Sequence, residues 1–126
     1  MKIKFYDTSS LLLLEDNLFQ EKFVISSITL TELEEIKSSS RKDEDIKAAA
    51  RYLLHQFENN PNSYHVVIYN SHMIEKFDAT KLEINNDAKI LACALYYERT
   101  FAKDNFIFVT NDLSQKHIAS LFFNPN

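Results

Sequence analysis

The chain has 126 residues, of which 45% are hydrophobic and 25% are charged, and its formal net charge is −4. This composition is ordinary for a soluble globular protein, and the length predicts one domain over residues 1–126 with a core of its own. The negative net charge argues against a histone-like protein that binds nucleic acid through bulk charge, although it does not exclude an enzyme that grips nucleic acid locally.

The numbers of cysteine and glycine residues exclude further classes of protein and of binding site. The single cysteine, Cys93, can form neither an intrachain disulfide nor a zinc cluster, which favours the cytoplasm. The start of the chain lacks the apolar core of a signal peptide, and the run Leu11–Leu14 is too short to span a bilayer, so we expect no membrane segment. The complete lack of glycine excludes the P-loop and the GxGxxG fingerprint, which need residues without a side chain near the phosphates.

Short apolar runs alternate with helix-like segments along the chain. Runs of β-branched and aromatic residues predict strands within Lys2–Asp7, Phe23–Ile25, Tyr64–Tyr69 and Phe106–Val109. Helical spacing and polar breaks predict helices around Leu11–Leu14, Thr29–Lys37, Asp43–Glu58 and His72–Phe77, from Asn86 or Asp87 to Arg99, and over Leu113–Leu121. Phe122 and Phe123 form either an edge strand or a truncated one. The alternation predicts an α/β fold in which helices cover both faces of a parallel sheet.

Four carboxylates stand at the ends or openings of these elements. Asp7 and Asp112 each follow a predicted strand, so they should lie at the same edge of the sheet, where ligands bind in open α/β folds. Glu32 and Asp87 fall at the openings of predicted helices and should point into the same crevice. Crowded carboxylates repel one another unless a cation or a proton intervenes. Oxygen ligands without a thiolate or histidine cluster favour Mg²⁺ or Mn²⁺ over Zn²⁺.

Each acid also has a simpler interpretation as a helix cap. Asp7, Asp87 and Asp112 are short polar residues at predicted helix starts, where they would accept hydrogen bonds from free backbone amides. Glu32 ends the sequence Thr29–Glu32, TLTE, which has the pattern of a capping box. Taken singly, the cap interpretation is favoured for each acid, and only the joint pattern favours a site.

The segments YDTSS, TELEEIK, NNDAKILACA and VTND, in this order, resemble the PIN-domain ribonucleases. The resemblance extends from Ile3 to about Leu121 and is closest to the PhoH-associated and the stand-alone bacterial or phage PIN proteins. It implies a three-layer α/β/α sandwich with strand order 3-2-1-4-5. The chain ends soon after the last predicted helix, so the fifth strand should be short or absent, which also leaves open any homodimer built on that edge.

The resemblance further implies metal-dependent endonucleolytic cleavage of single-stranded RNA, with Mg²⁺ or Mn²⁺ as cofactor. Asp7, Glu32, Asp87 and Asp112 match the catalytic, metal-binding acids of the family. Thr110 and Ser9 match hydroxyl residues that accompany the last and the first acid. An equally good interpretation of these two is a turn hydroxyl that bonds the backbone.

The basic residues Lys37, Arg41 and Lys42 could contact RNA phosphates. A solvated helix face that mixes them with acids is the better-supported interpretation. The rival to an active enzyme is a PIN-like scaffold, or a toxin kept silent by an antitoxin-like inhibitor. A receiver domain and a haloacid-dehalogenase-type phosphatase fit less well, because Tyr6-Asp7 supplies one acid and Ser9 stands where DxD needs a second.

Overall fold

Four parallel strands form the centre of the protein. In a computed structural model that describes residues 2–14, 16–75 and 84–123, the sheet has the order β3-β2-β1-β4. The strands are β1 (Ile3–Tyr6), β2 (Phe23–Ser26), β3 (Tyr64–Val67) and β4 (Phe106–Val109). All three neighbouring pairs are parallel, and β1 pairs with β4 along its whole length. The predicted α/β fold and the order 3-2-1-4 are therefore confirmed, and no fifth strand occurs in the described part of the chain.

Helices connect the strands and cover the sheet. They are α1 (Thr8–Leu13), α2 (Ser27–Ser38), α3 (Glu44–Asn59), α4 (Asn86–Phe101) and α5 (Leu113–Ala119), with 3₁₀ helices at Asp16–Gln20 and Ser71–Ile74. Each α-helix begins at a Ser, Asp or Asn cap whose side chain accepts a backbone amide hydrogen bond, which is the usual start of a helix. No helix of the described residues is long and apolar enough to cross a lipid bilayer.

The side chains of alternate strand residues pack into two different hydrophobic cores, one on each face of the sheet. Tyr6, Phe23 and Ile25 pack into one cluster with Leu33 of α2 and Phe57 of α3. Phe5, Val24 and Phe106 point the other way and pack against Ile90 and Cys93 of α4. Because strand side chains alternate between the faces of a sheet, a short run that is apolar throughout must be buried on both. Cys93 is fully buried, as expected for a small core residue.

Several helix bounds differ from those predicted. α2 begins at Ser27 rather than Thr29, because the Oγ of Ser26 accepts the amide hydrogen of Ile28 at 3.0 Å. Near His72 the chain forms a single 3₁₀ turn, and Phe77 lies outside the described residues. Phe122 and Phe123 form no strand. Their amides bond to the carbonyl of Ala119 at 3.0 Å and continue the turn that ends α5.

A pair of leucine substitutions tests this assignment of the core. Leu33→Ala should lower the free energy of unfolding by about 3 kcal/mol, because Leu33 is fully buried and its loss leaves a cavity. Leu113→Ala should change it by less than about 0.5 kcal/mol, since Leu113 is 82% exposed. Urea unfolding of the two variants measures the difference. Equal effects would contradict this packing of the core.

Candidate functional site

Asp7 lies where the central strand meets the first helix. It directly follows β1, is buried, and its amide donates to the carbonyl of Val109 at 3.1 Å. Its Oδ1 accepts from the amide of Ser10 at 2.9 Å and the hydroxyl of Ser9 at 3.0 Å. Its Oδ2 accepts a hydrogen bond from the hydroxyl of Thr110. The predicted capping role is confirmed, and the donors come from two segments of the chain.

Asp112 lies at the corresponding position after β4 and caps α5. Its Oδ1 accepts from the amides of Ser114 at 2.8 Å and Gln115 at 3.3 Å. Its own amide donates to the hydroxyl oxygen of Thr110 at 3.1 Å. The hydroxyl of Thr110 therefore links Asp112 to Asp7. The chain brings the two acids to one edge of the sheet, as the strand ends predict.

Glu32 is held by hydroxyl groups rather than by a capping box. The hydroxyl of Thr8 donates to its Oε1 at 2.6 Å, and the hydroxyls of Thr8 and Thr29 are 3.0 Å apart. Because a carboxylate can only accept, the Thr8 hydrogen goes to Glu32 and Thr29 donates to Thr8. Asn86 donates to Oε2 at 3.4 Å. The capping-box interpretation is wrong because the cap of α2 is Ser26, six residues before Glu32.

Asp87 lies in the first turn of α4 and does not cap it. Asn85 is the cap, and its Oδ1 accepts from the amide of Ala88 at 2.9 Å. The carboxylate of Asp87 receives no hydrogen bond from the residues that the structure describes. Its backbone carbonyl accepts from the side-chain amide of Gln115 on α5 at 2.8 Å. The cap interpretation is therefore wrong for Asp87. No hydrogen bond from the described residues explains why a carboxylate lies at this position.

The charges of three of the acids act on the fourth, Asp87. Although Asp87 is exposed as a residue, partial burial of its carboxyl group raises its pKa above the ordinary value of 3.8. Repulsion from Glu32, then Asp112, then Asp7 raises the pKa further. A carboxyl group responds in this way only when the other charges are nearby. Asp7, Glu32, Asp87 and Asp112, which are distant in sequence, thus share one electrostatic environment.

These carboxylates fit a hard divalent cation in kind and charge. Within the described ranges, no three His, Cys, Asp or Glu side chains are grouped closely enough to form a ready metal cage. Mg²⁺ usually keeps several waters and is bound through one or two carboxylates together with substrate phosphates, so such a cage is not required. Burial is the first cause of the raised pKa of Asp87, and the charges of Glu32, Asp112 and Asp7, which a cation would offset, add to it. The chemistry of the donor set therefore fits Mg²⁺ or Mn²⁺.

The predicted phosphate-binding residues lie outside this network of acids and hydroxyls. Lys37 forms an ion pair with Glu34 on its own helix at 3.0 Å. Arg41 and Lys42 are exposed in the connection between α2 and α3, and no contact in the described part of the chain joins them to the acids. Their role in binding RNA stays a prediction.

Sequence reasoning missed four polar residues that support the acids, namely Thr8, Ser10, Thr29 and Gln115. All four are buried. The hydroxyl of Ser10, for example, lies 3.0 Å from the carbonyl oxygen of Asp7 and 2.9 Å from that of Val109. A polar residue on the inner face of a helix is the signal that could have identified them, because burying a polar group is unfavourable unless it is hydrogen-bonded.

A comparison with protein families identifies the fold. The family model described as the PIN domain matches residues 5–121, which is nearly the whole chain. The chain therefore belongs to the PIN-domain family, as its motifs suggest. PIN domains are in general nucleases, so nucleic acid is the general class of ligand. No curated protein matches the chain.

The electrostatics of Asp87 predict a stability change that depends on pH. A raised folded-state pKa means that the charged form is disfavoured on folding, so stability is lost as the pH rises from about 3.8 through the folded-state pKa. In EDTA at pH 7, Asp87→Asn should therefore raise Tm by about 2 °C, since an exposed charge contributes a fraction of a kcal/mol. The gain should shrink as the pH falls towards 4.

Asp43→Asn is the matched control for this experiment. Asp43 caps α3 and is not among the charges that act on Asp87. Its substitution should give no gain in Tm at any pH. A Tm for Asp87→Asn that is equal to or below that of the wild type across the pH range would contradict the shared electrostatic environment.

Proposed function

We propose that this member of the PIN-domain family is a metal-dependent endoribonuclease that cleaves single-stranded RNA. The observation that carries the proposal is the raised pKa of Asp87, which is caused first by burial of its carboxyl group and then by the charges of Glu32, Asp112 and Asp7. Acids from separate segments whose charges disfavour the ionised form of Asp87 are not needed for a purely structural role. A nuclease site that takes up a cation explains why they are together.

The residues that would hold Mg²⁺ or Mn²⁺ are Asp7, Asp87 and Asp112. Glu32 would either ligate a second ion or position the attacking water. When bound, the cation would supply a water of lowered pKa and positive charge next to the phosphoryl oxygens. No side-chain nucleophile is needed for such a hydrolysis, and the expected products carry a 5′-phosphate and a 3′-hydroxyl.

The protein's own contribution is to orient the acids and the substrate. Donors from both sides fix the carboxylate of Asp7, and Thr110 couples it to the segment that carries Asp112. Thr8 holds one oxygen of Glu32. The remaining acceptor capacity of Glu32 can take a hydrogen bond from a water aligned for attack on a phosphodiester.

Substrate binding and partners are further parts of the proposal. Lys37, Arg41 and Lys42 would contact RNA phosphates, which supply most of the affinity in nucleic-acid binding. With a formal net charge of −4, such contacts have to be local rather than spread over the surface. A homodimer and an antitoxin-like inhibitor stay predictions, and so does the cytoplasmic location that the single cysteine favours.

A catalytically silent scaffold is the second candidate, and one observation favours it. Asp7 and Asp112 both accept backbone amides at helix starts, and no three acids of the described residues are closely grouped. In such a scaffold Asp7 and Asp112 would serve only as helix caps. Activity and metal binding separate the two candidates.

Cleavage of a single-stranded RNA labelled at its 5′ end tests the nuclease proposal. The wild type should cleave with Mn²⁺ or Mg²⁺ and not with EDTA. Asp7→Asn and Asp112→Asn should each lower the rate by at least about a hundredfold, because losing a ligand should cost more than losing a supporting contact. Asparagine caps helices as well as aspartate does, so both variants should remain folded.

Asp43→Asn serves again as the control, since Asp43 is a capping aspartate that is not one of the four proposed site acids. Its cleavage rate should equal that of the wild type. The mechanism would be contradicted if the wild type still cleaved RNA in EDTA. It would also be contradicted if both site variants cleaved at the wild-type rate.

Thermal unfolding with Mn²⁺ separates an enzyme from a scaffold without any RNA substrate. At a concentration a hundredfold above Kd, a ligand stabilises the folded state by about 2.7 kcal/mol. For a domain of this size this amounts to roughly 10 °C in Tm. The double variant Asp7→Asn, Asp112→Asn should lose the shift. A wild type whose Tm does not respond to Mn²⁺ would favour the scaffold.

A further inference from the structure

Gln115 touches both acid-bearing segments at the sheet edge. Its side-chain amide donates to the backbone carbonyl of Asp87 at 2.8 Å, and its backbone amide donates to Oδ1 of Asp112 at 3.3 Å. The residue is only 2% exposed, which is uncommon for a glutamine. One residue of α5 thus bonds the first turn of α4 and the carboxylate that caps its own helix.

The polar character of this position is not explained by packing. Gln115 and Ala119 lie one turn apart on the buried face of α5, while Leu113 on the same helix is 82% exposed. An apolar side chain at position 115 would bury its surface at no cost in hydrogen bonds. A buried amide is tolerated only when it is hydrogen-bonded, and here the bond goes to the residue that carries the acid.

The bond from Gln115 matters for the position of Asp87, because the side chain of Asp87 makes no such bond itself. The carboxylate accepts no hydrogen bond from the described residues, so no such bond fixes the position of Asp87. The bond from Gln115 to the backbone carbonyl of Asp87 holds the first turn of α4 against α5 and leaves the carboxylate of Asp87 without a hydrogen-bond donor among the described residues.

We propose that Gln115 is a positioning residue of the acid site, which sets the separation of Asp87 and Asp112 through its side-chain and backbone amides. The consequence for cation binding rests on the proposed function. The geometric part, that the amide of Gln115 fixes the first turn of α4, stands on the contacts alone.

The experiment compares Gln115→Leu with Ala119→Gly in the full chain. Leucine keeps a similar volume and removes the amide, and Gln115→Met serves in its place if the leucine variant does not fold. Ala119→Gly weakens the same helix at a buried position without touching either acid. The measurements are Tm in EDTA, Mn²⁺ affinity by calorimetry, and NMR hydrogen exchange of the amides of residues 89–91 without metal.

In Gln115→Leu we expect Mn²⁺ to bind about tenfold more weakly, as for other lost supporting contacts of a metal site. Exchange of the amides in the first turns of α4 should be about fivefold faster. Ala119→Gly should lower Tm at least as much and leave both the affinity and the exchange unchanged. If Gln115 only stabilised α5, the Mn²⁺ affinity would fall in proportion to the loss of Tm in both variants.

Two results would overturn parts of the scheme separately. Unchanged exchange at residues 89–91 in Gln115→Leu would overturn the positioning role, whether or not Mn²⁺ binds. A wild type that neither binds Mn²⁺ nor cleaves RNA would overturn the proposed function, and the exchange data would still decide whether Gln115 fixes Asp87.

Discussion

The placement of carboxylates from separate segments at the carboxyl edge of the sheet is the constraint on which the local structure depends. The charges of Glu32, Asp112 and Asp7 disfavour the ionised form of Asp87, so the groups that hold these acids in place act against their separation. In the described part of the chain the donors to these acids are neutral: hydroxyls bond Asp7 and Glu32, and backbone amides bond Asp112. Neutral donors orient a carboxylate and leave its charge in place, whereas a salt bridge would cancel it. In the proposed nuclease this charge would attract the cation.

The capping and site interpretations of the acids are compatible with each other. Asp112 uses Oδ1 for both of its cap bonds, and a carboxylate has about four acceptor positions on its two oxygens. Asp7 also bonds the helix through Oδ1. A cap that fixes one oxygen turns the other in a defined direction, so local helix chemistry can orient a site. The choice between cap and ligand, which looks exclusive in the sequence, is therefore not exclusive in the fold.

The sequence predicts this fold well where the signal is local. Apolar runs that end in a turn identified all four strands, and because parallel strands end at a common edge, they also placed Asp7 and Asp112 together. Prediction failed where the partner lies far away in the chain. TLTE looked like a capping box, but Glu32 bonds Thr8, 24 residues earlier. The bond of Gln115 could not be predicted either, since its partner Asp87 is 28 residues away and only a polar position on the inner face of α5 points to it.

The position of β4 in the sheet helps to explain why Gln115 matters for the placement of Asp87 and Asp112. In the described part of the chain, β4 has a strand neighbour on one side only, β1, and no fifth strand supports the segment that carries Asp112. Asp7 and Ser10 bond to the carbonyl of Val109 at the end of β4, and further restraints come from the residues C-terminal to the strand. Phe123 stacks on Phe108 at 6.0 Å between ring centroids, which ties the end of α5 back to the strand. Gln115 ties the beginning of α5 to α4. Since the described part of the chain has no strand on the other edge of β4, we infer that α5 contributes to the separation of Asp87 and Asp112 together with β1 and Thr110.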